Sequence, residues 1–272
     1  MPRMFKLAVR AAAVCLALGV AACGSSAGSK TTAVKHAQRA VAIDVHYDPP
    51  ANKTAVIAQS ILSAGGLSKI ASGLSHNIAI PVQLKIRVHN GTAGPFYDPK
   101  TKTVNLTYGF VDIEARVFRR AEPTIKDFDL GERLGALDGF ILMHELGHAF
   151  VDIFKLPITG REEDAVDELA TVLMTKDITG GDQFAFFAAQ FFHYLSQDRR
   201  AYTESDYWNE HSLDSQRAYN IVCWVAGYSP ADYQRIKRLG ILGQDRLQRC
   251  PAEYQQKVTA WTTLLKPYAR RS

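Results

Sequence analysis

The sequence predicts an α+β fold, in which a small antiparallel sheet and one long apolar helix are followed by a helical C-terminal lobe. Two observations predict this class. Segments with alternating apolar and polar residues, typical of half-buried strands, cluster before residue 111, whereas later segments have apolar residues at helical spacing. At 272 residues, 47% apolar and 22% charged, the chain is long enough to bury a full core and has a globular composition.

Three strands are predicted in the first part of the chain. Residues 41–47 are rich in β-branched residues and end shortly before two prolines, and residues 82–89 and 103–110 alternate between apolar and polar. Asn90-Gly91 is a dipeptide typical of hairpin turns, and residues 97–102 carry a second turn signal. These turns underlie the prediction of an antiparallel sheet.

Helical spacing predicts five helices besides the acidic segment 160–174, which is considered with the metal ligands below. The run at 139–154 is strongly apolar and ends before a Leu-Pro pair. A helix at 183–195 carries six aromatic side chains, which we interpret as part of the core. The remaining predicted helices cover residues 54–74, 213–225 and 251–265.

The N-terminus has the pattern of a bacterial lipoprotein leader. Basic residues precede a short apolar run, and small residues follow it, which indicates a secretory signal peptide over residues 1–22. Val20-Ala-Ala-Cys23 resembles a lipobox, so we expect Cys23 to be lipidated; the alternative is an ordinary signal peptide with a coincidental Cys. Residues 23–40 are interpreted as a flexible tether. The chain is therefore expected to be exported and lipid-anchored to a membrane, at the periplasmic or extracellular face of the bacterial cell envelope.

The charge of the chain argues against a nucleic-acid partner. There are 32 basic and 27 acidic residues, a net charge of +5. Three of the basic residues lie in the leader, so the rest of the chain carries only +2, and it has no dense basic run.

Two of the four cysteines are predicted to form a disulfide. Cys15 leaves with the leader and Cys23 is assigned to lipidation, which leaves Cys223 and Cys250 in an oxidising compartment. Two buried thiols are the alternative.

The most informative motif is His144-Glu145-Leu-Gly-His148, inside the apolar helix at 139–154. Residues i and i+4 of a helix are about 6 Å apart along the axis and about 40° apart around it, so the two imidazoles can hold one metal ion. Glu145 lies beside this pair and can act as general base toward a metal-activated water. The alternative is a satisfied pair of core histidines, which would be costly to bury in so apolar a helix.

A catalytic zinc site needs a third protein ligand, and the acidic segment 160–174 offers candidates. Helical spacing places Glu163 and Asp167 on an apolar stripe, whereas Asp164 and Glu168 fall on a polar one. Carboxylates on an inward-facing stripe need a partner there. The helix dipole is by itself a sufficient reason for some of these acidic residues.

The histidine motif followed by Glu163-Asp-Ala-Val-Asp167 resembles the gluzincin pattern of zinc metallopeptidases, HExxH and then ExxxD on a second helix. The resemblance implies one Zn²⁺ ion bound by His144, His148 and Glu163. It also implies that Asp167 orients the His144 ring from the side opposite the metal.

A second resemblance covers nearly all of the chain after the leader. Its segments include Tyr97-Asp-Pro, Gly160-Arg-Glu-Glu-Asp and His211-Ser-Leu-Asp-Ser-Gln-Arg217, and it is similar to a bacterial family labelled "putative metallopeptidases" of unknown biological role. We therefore expect a zincin-like domain over residues 41–272, with the sheet and active-site helix at 41–157 and the helical lobe at 158–272.

The expected activity is zinc-dependent hydrolysis of a peptide bond at the cell envelope. Glu145 would take a proton from water and pass it to the leaving amine. His211 and Tyr207, which precede a helix that can face the cleft, are the candidate donors to the oxyanion. The alternative for His211 is a structural role at the start of that helix. An extended peptide or protein substrate is expected to add to the sheet at an edge strand over residues 103–110.

Three other interpretations stay open. A non-catalytic zinc-binding lipoprotein, a pseudoenzyme or binding module, would use the same ligands, although it has no need of Glu145. A structural lipoprotein would hold no metal. Hydrolysis of another amide bond, such as those of cell-wall peptides, would use the same residues.

Overall fold

The computed structural model of the protein describes residues 43–198 and 201–270. The signal peptide predicted at 1–22, the lipidation site Cys23 and the tether at 23–40 lie outside the described residues. No helix in the described part of the chain has the length and apolar character needed to span a membrane.

Four strands and ten α-helices make up the described chain. The strands are β1 (Asp44–Tyr47), β2 (Lys85–His89), β3 (Phe96–Asp98) and β4 (Thr103–Thr107). The helices are α1 (Lys53–Ala64), α2 (Leu67–Asn77), α3 (Tyr108–Ala121), α4 (Asp127–Phe154), α5 (Glu162–Asp177), α6 (Gly181–Asp198), α7 (Glu204–Trp208), α8 (Asp214–Tyr228), α9 (Pro230–Leu239) and α10 (Gln244–Leu265). A 3-10 turn at Lys266–Tyr268 follows α10. The predicted α+β class with a helical C-terminal part is confirmed.

The sheet is mixed rather than antiparallel as predicted. Its order is β1-β2-β4-β3, with β1, β2 and β4 parallel and β3 antiparallel to β4. The tight reversal is the turn between β3 and β4, whereas Asn90-Gly91 opens a longer connection that leads away from β2. The second strand of the β3–β4 hairpin, β4, is the one that lies against β2, and it runs parallel to β2.

Strand β4 is the most buried strand and lies inside the sheet, so the prediction that 103–110 is an edge strand is wrong. The side chains of Val104 and Leu106 are almost fully buried, and the strand pairs on both sides. The edges of the sheet are β1 and β3. The strand also ends at Thr107 rather than at residue 110, and α3 begins at Tyr108. Apolar alternation continues into the first turn of α3, which is why the pattern alone does not mark the junction.

Helix α4 is the longest helix of the described residues and carries the histidine motif. It begins at Asp127, well before the predicted start at residue 139, and ends at Phe154, as predicted. Lys155 follows in the left-handed region with φ of 52°, and this residue turns the chain toward the Leu-Pro pair and α5. Most side chains of α4 beyond its first turn are buried, which places the histidine motif at the base of a surface cleft.

The C-terminal part is built around α6, α8 and α10. Four of the six aromatic residues of α6 are buried core elements, as predicted: Phe186, Phe187, Phe191 and Phe192. Phe184 and Tyr194 are half-buried. The predicted disulfide is present between Cys223 of α8 and Cys250 of α10. Helix α10 begins at Gln244 and carries Pro251 in its interior, whereas the sequence predicted a start at that proline.

Candidate metal centre

Two helices in close contact, α4 and α5, carry most of the site. At Gly147, inside the histidine motif, an added Cβ atom would lie 2.8 Å from both Cβ and Cγ1 of Val166 on α5. Only glycine allows so close an approach of the two helices. Glu163 lies one turn before Val166 on α5, and Asp167 follows Val166 directly. The close approach of the helices therefore brings both carboxylates into contact with His144.

Three imidazoles converge on one carboxylate oxygen. Oε2 of Glu163 lies 3.0 Å from Nε2 of His144, 3.4 Å from Nε2 of His148 and 2.9 Å from Nε2 of His211. Ligand atoms of His144, Glu163 and His211 all lie within 4.8 Å of one another. Imidazole nitrogens and a carboxylate oxygen gathered at one point are the donor set of a divalent transition-metal site.

The far nitrogens of the two motif histidines are held by carboxylates. Nδ1 of His144 lies 2.8 Å from Asp167, and Nδ1 of His148 lies 2.8 Å from Glu162. When each Nδ1 donates its proton in this way, the Nε2 lone pair is left for a metal. The predicted role of Asp167 therefore has a matching contact, while Glu162 is an additional contact that the sequence analysis missed.

Arg217 of α8 is a second missed residue. Its Nε and Nη2 atoms donate to the two carboxylate oxygens of Asp167 at 2.7 and 2.8 Å, and its guanidinium lies 3.9 Å from the ring centroid of Phe192. This contact neutralises a carboxylate that is almost completely buried. Arg217 comes to the site through the packing of α8, which no local spacing in the sequence reveals.

The electrostatics follow from this arrangement. Burial opposes ionisation of Asp167, but Arg217 and His144 outweigh it and lower the pKa of the carboxyl group. Burial likewise opposes ionisation of Glu163, yet the three imidazoles hold its pKa far below the ordinary value. Burial also disfavours protonated His144, but Asp167 and Glu163 raise its pKa to about 9.

Glu145 has the opposite shift from the other two carboxylates. Its side chain is 6% exposed, and burial raises its pKa despite the nearby histidines. A carboxylate with a raised pKa binds a proton more readily, which suits a group that must accept and later release one. Glu145 lies on α4 between the two motif histidines and lines the cleft.

The cleft above these residues has a volume of about 710 Å³. Its floor is formed by the motif residues and Glu163. Residues from and beside β3 line the same cleft, Pro95, Phe96, Tyr97 and Pro99. Arg161, Glu162, Glu210 and His211 add a charged part of the lining. Strand β3, an edge of the sheet, is therefore the strand that flanks the cleft, in place of the predicted 103–110.

The structure brings together six of the seven residues proposed from sequence for this site: His144, Glu145, His148, Glu163, Asp167 and His211. Tyr207 is the exception, because its side chain is 62% exposed and packs beside Tyr202 at a ring distance of 6.2 Å. Its carbonyl oxygen nevertheless accepts a hydrogen bond from Arg161, as does that of His211, both at 3.4 Å.

Comparison with known proteins gives one informative result. No curated protein and no solved structure matches the chain. A family model described as "Putative metallopeptidase" matches residues 47–265, which include all of the residues gathered at the cleft. The match covers most of the chain and contains the converging histidines and carboxylates, so this protein belongs to that metallopeptidase family.

Proposed function

We propose that the protein is a zinc-dependent peptidase that acts at the cell envelope. The observation that carries the proposal is the convergence of three imidazole nitrogens on Glu163, with the buried carboxylate of Glu145 beside them. Membership of a metallopeptidase family supports hydrolysis of a peptide bond as the reaction. Imidazole nitrogens together with a carboxylate oxygen support zinc as the metal.

His144, His148 and Glu163 would hold the ion. Two imidazoles and one carboxylate form a ligand set typical of catalytic zinc. A zinc ion bound there would acidify a water molecule and polarise the carbonyl group of the scissile peptide bond. The fit rests on the Nδ1 contacts of both histidines, which leave the Nε2 atoms directed at the same point.

Glu145 would move the proton in this reaction. It accepts a proton from the attacking water and donates it to the amine of the leaving peptide, so one carboxylate serves both steps. Burial supports this role because it raises the pKa of the group and keeps bulk water from competing for the proton. Asp167 and Arg217 would keep the His144 ring in a single orientation throughout.

An extended peptide segment fits the cleft beside β3. The outer edge of this strand has no strand partner in the described part of the chain, so its backbone can pair with a substrate backbone. Phe96 on the same strand is 47% exposed and lines the cleft, where it can pack against an apolar substrate side chain.

Replacement of Glu145 by Gln tests the proposal. The amide keeps the size of the side chain but does not accept the proton, so hydrolysis of a peptide library should fall by about 10²–10⁴-fold. Zinc content, measured on protein purified without chelators, should stay at one ion per chain. Glu132→Gln is the matched control, because Glu132 is an exposed glutamate on the same helix. If Glu145→Gln cleaved peptides at the wild-type rate, Glu145 could not be the general base.

A non-catalytic zinc-binding protein is the second candidate, and one observation favours it. The ligand atoms of His144, Glu163 and His211 all lie within 4.8 Å of one another, so a histidine from outside the motif is in position to bind the ion together with the motif ligands. A fourth protein ligand of this kind is typical of structural zinc sites. Such a protein would bind zinc with the wild-type sequence and hydrolyse no member of the peptide library.

Placement at the envelope is part of the proposal and comes from the lipobox at Cys23. The disulfide between Cys223 and Cys250 supports it, because structural disulfides persist in oxidising compartments outside the cytoplasm.

A further inference from the structure

We propose that His211 is a displaceable fourth ligand, which closes the metal site in the substrate-free protein and leaves it when substrate enters. The inference rests on the proposed function, since it concerns the same ion. It assigns His211 a role other than the oxyanion donor expected from sequence.

The first support is the position of the His211 ring. Its Nε2 atom is as close to Oε2 of Glu163 as that of His144, at 2.9 against 3.0 Å, and closer than that of His148 at 3.4 Å. The rings of His211 and His144 are nearly parallel, with an interplanar angle of 11° and centroids 6.3 Å apart. This position places Nε2 of His211 beside the carboxylate oxygen that would bind the ion, where it can serve as a further ligand.

The second support is the difference in how the three histidines are held. His144 and His148 lie on α4, with side chains only 6% and 16% exposed, and a carboxylate holds the Nδ1 atom of each. The His211 side chain is 47% exposed, and its Nε2 atom contacts Glu163. Of the three histidines, His211 is therefore the most exposed to solvent and the least enclosed by α4 and α5.

The third support is the segment that carries His211. It lies between α7 and α8, outside regular secondary structure. Its backbone is held at His211 by Asn209, which accepts from the amide at 2.9 Å, and by a long contact of 3.4 Å from Arg161 to the carbonyl oxygen. A side chain on such a segment can move without disturbing α4 or α5.

Displacement of His211 makes the role of Glu145 as general base compatible with a metal site that has four protein ligands in the substrate-free protein. Four protein ligands around zinc leave no position for water, whereas hydrolysis with Glu145 as base requires one. Departure of His211 would open that position on the side of the cleft where a substrate arrives. Water would then be activated only when a peptide occupies the cleft.

The test uses cobalt-substituted protein and acetohydroxamate, a small chelating probe of the open position. Co²⁺ bound in place of zinc has a visible absorption spectrum that changes with the ligands of the metal. Probe binding and metal binding can therefore both be measured without any hydrolysis. In the wild type the probe must displace His211. The apparent Kd of the probe is therefore its intrinsic Kd divided by the fraction of protein in which His211 has left the metal. If the site is closed at least nine-tenths of the time, His211→Ala should bind the probe about tenfold more tightly or better. His211→Ala should also bind the metal about tenfold more weakly or worse in a chelator competition.

His76→Ala is the matched control, because His76 is an exposed histidine of α2 that does not line the cleft. It should resemble the wild type in both the spectrum and the probe Kd. Equal metal and probe affinities in wild type and His211→Ala would overturn this proposal and leave the proposed function standing. A wild type that never binds the probe at saturation would show a permanent ligand and would also overturn it. Failure of the wild type to bind zinc or cobalt would overturn both proposals together.

Discussion

The substitution Gly147→Ala should separate the two helices that form the site. The new Cβ atom would lie 2.8 Å from two carbons of Val166, where ordinary carbon–carbon contacts are about 3.5–4.0 Å, so α5 has to retreat by roughly 1 Å. Val166 is 0% exposed, so its side chain is enclosed by other residues. Overpacking of this kind costs about 1–3 kcal/mol, and the higher helix propensity of Ala returns about 1 kcal/mol. A net loss of about 1 kcal/mol in the free energy of unfolding is expected.

The same retreat should weaken metal binding. Glu163 and Asp167 flank Val166 on α5, and their contacts with His144 are only 3.0 and 2.8 Å long. A shift of roughly 1 Å breaks that geometry, and the loss of such supporting contacts lowers metal affinity by about 10–100-fold. Urea unfolding and chelator competition measure the two effects separately.

Gly131→Ala is the matched control, because Gly131 lies on the same helix and an added Cβ there meets no atom within 4 Å. It should gain about 0.5–1 kcal/mol of stability and leave the metal Kd unchanged. The reasoning is refuted if Gly147→Ala binds metal as tightly as the wild type and is as stable as Gly131→Ala.

Two further predictions concern other parts of the chain. Burial raises the pKa of Asp138 to about 8, so the folded protein keeps a proton that the unfolded chain releases near pH 4. This group should therefore lower stability as pH rises between about 4 and 8, by up to about 1.4 kcal/mol per pH unit. Asp138→Asn should make the slope of stability against pH shallower in urea unfolding at pH 5–7, while the buried Glu114 carboxyl, whose pKa burial also raises, keeps its own contribution. Equal slopes in the two proteins would contradict the prediction. Cys23→Ser should abolish incorporation of labelled palmitate in growing cells, whereas Cys15→Ser, in the leader, should keep it; labelling that survives Cys23→Ser would exclude the lipobox.

The candidate site was predictable wherever helical periodicity carries the information. The spacing of His144 and His148 fixes both residues on one face of α4, and the apolar stripe of α5 selects Glu163 and Asp167 over their acidic neighbours. Where the chain reaches the site through tertiary packing, local spacing gives no signal. Arg217 is the clearest case, because it meets Asp167 across 50 positions of sequence.

The sheet shows the same division between local and distant information. Alternation correctly indicated strands near residues 85–89 and 103–107, since it depends only on which side of each strand is buried. The pairing partners depend on where the β3–β4 hairpin folds back, and this places β4 next to β2 in a parallel arrangement. The edge strand beside the cleft is therefore β3 and not residues 103–110. With only three residues, β3 is too short to give a periodic signal in the sequence.

The helical C-terminal part completes the site rather than merely extending the core. Asp167 carries a buried charge that holds His144, and an uncompensated charge at that depth would cost several kcal/mol. Its compensation comes from Arg217 on α8, whose guanidinium is in turn packed against Phe192 of α6. The segment that precedes α8 supplies His211. The orientation of the first histidine of the motif and the presence of the third imidazole therefore both depend on the docking of α8, so metal affinity and the folding of this part should be lost together.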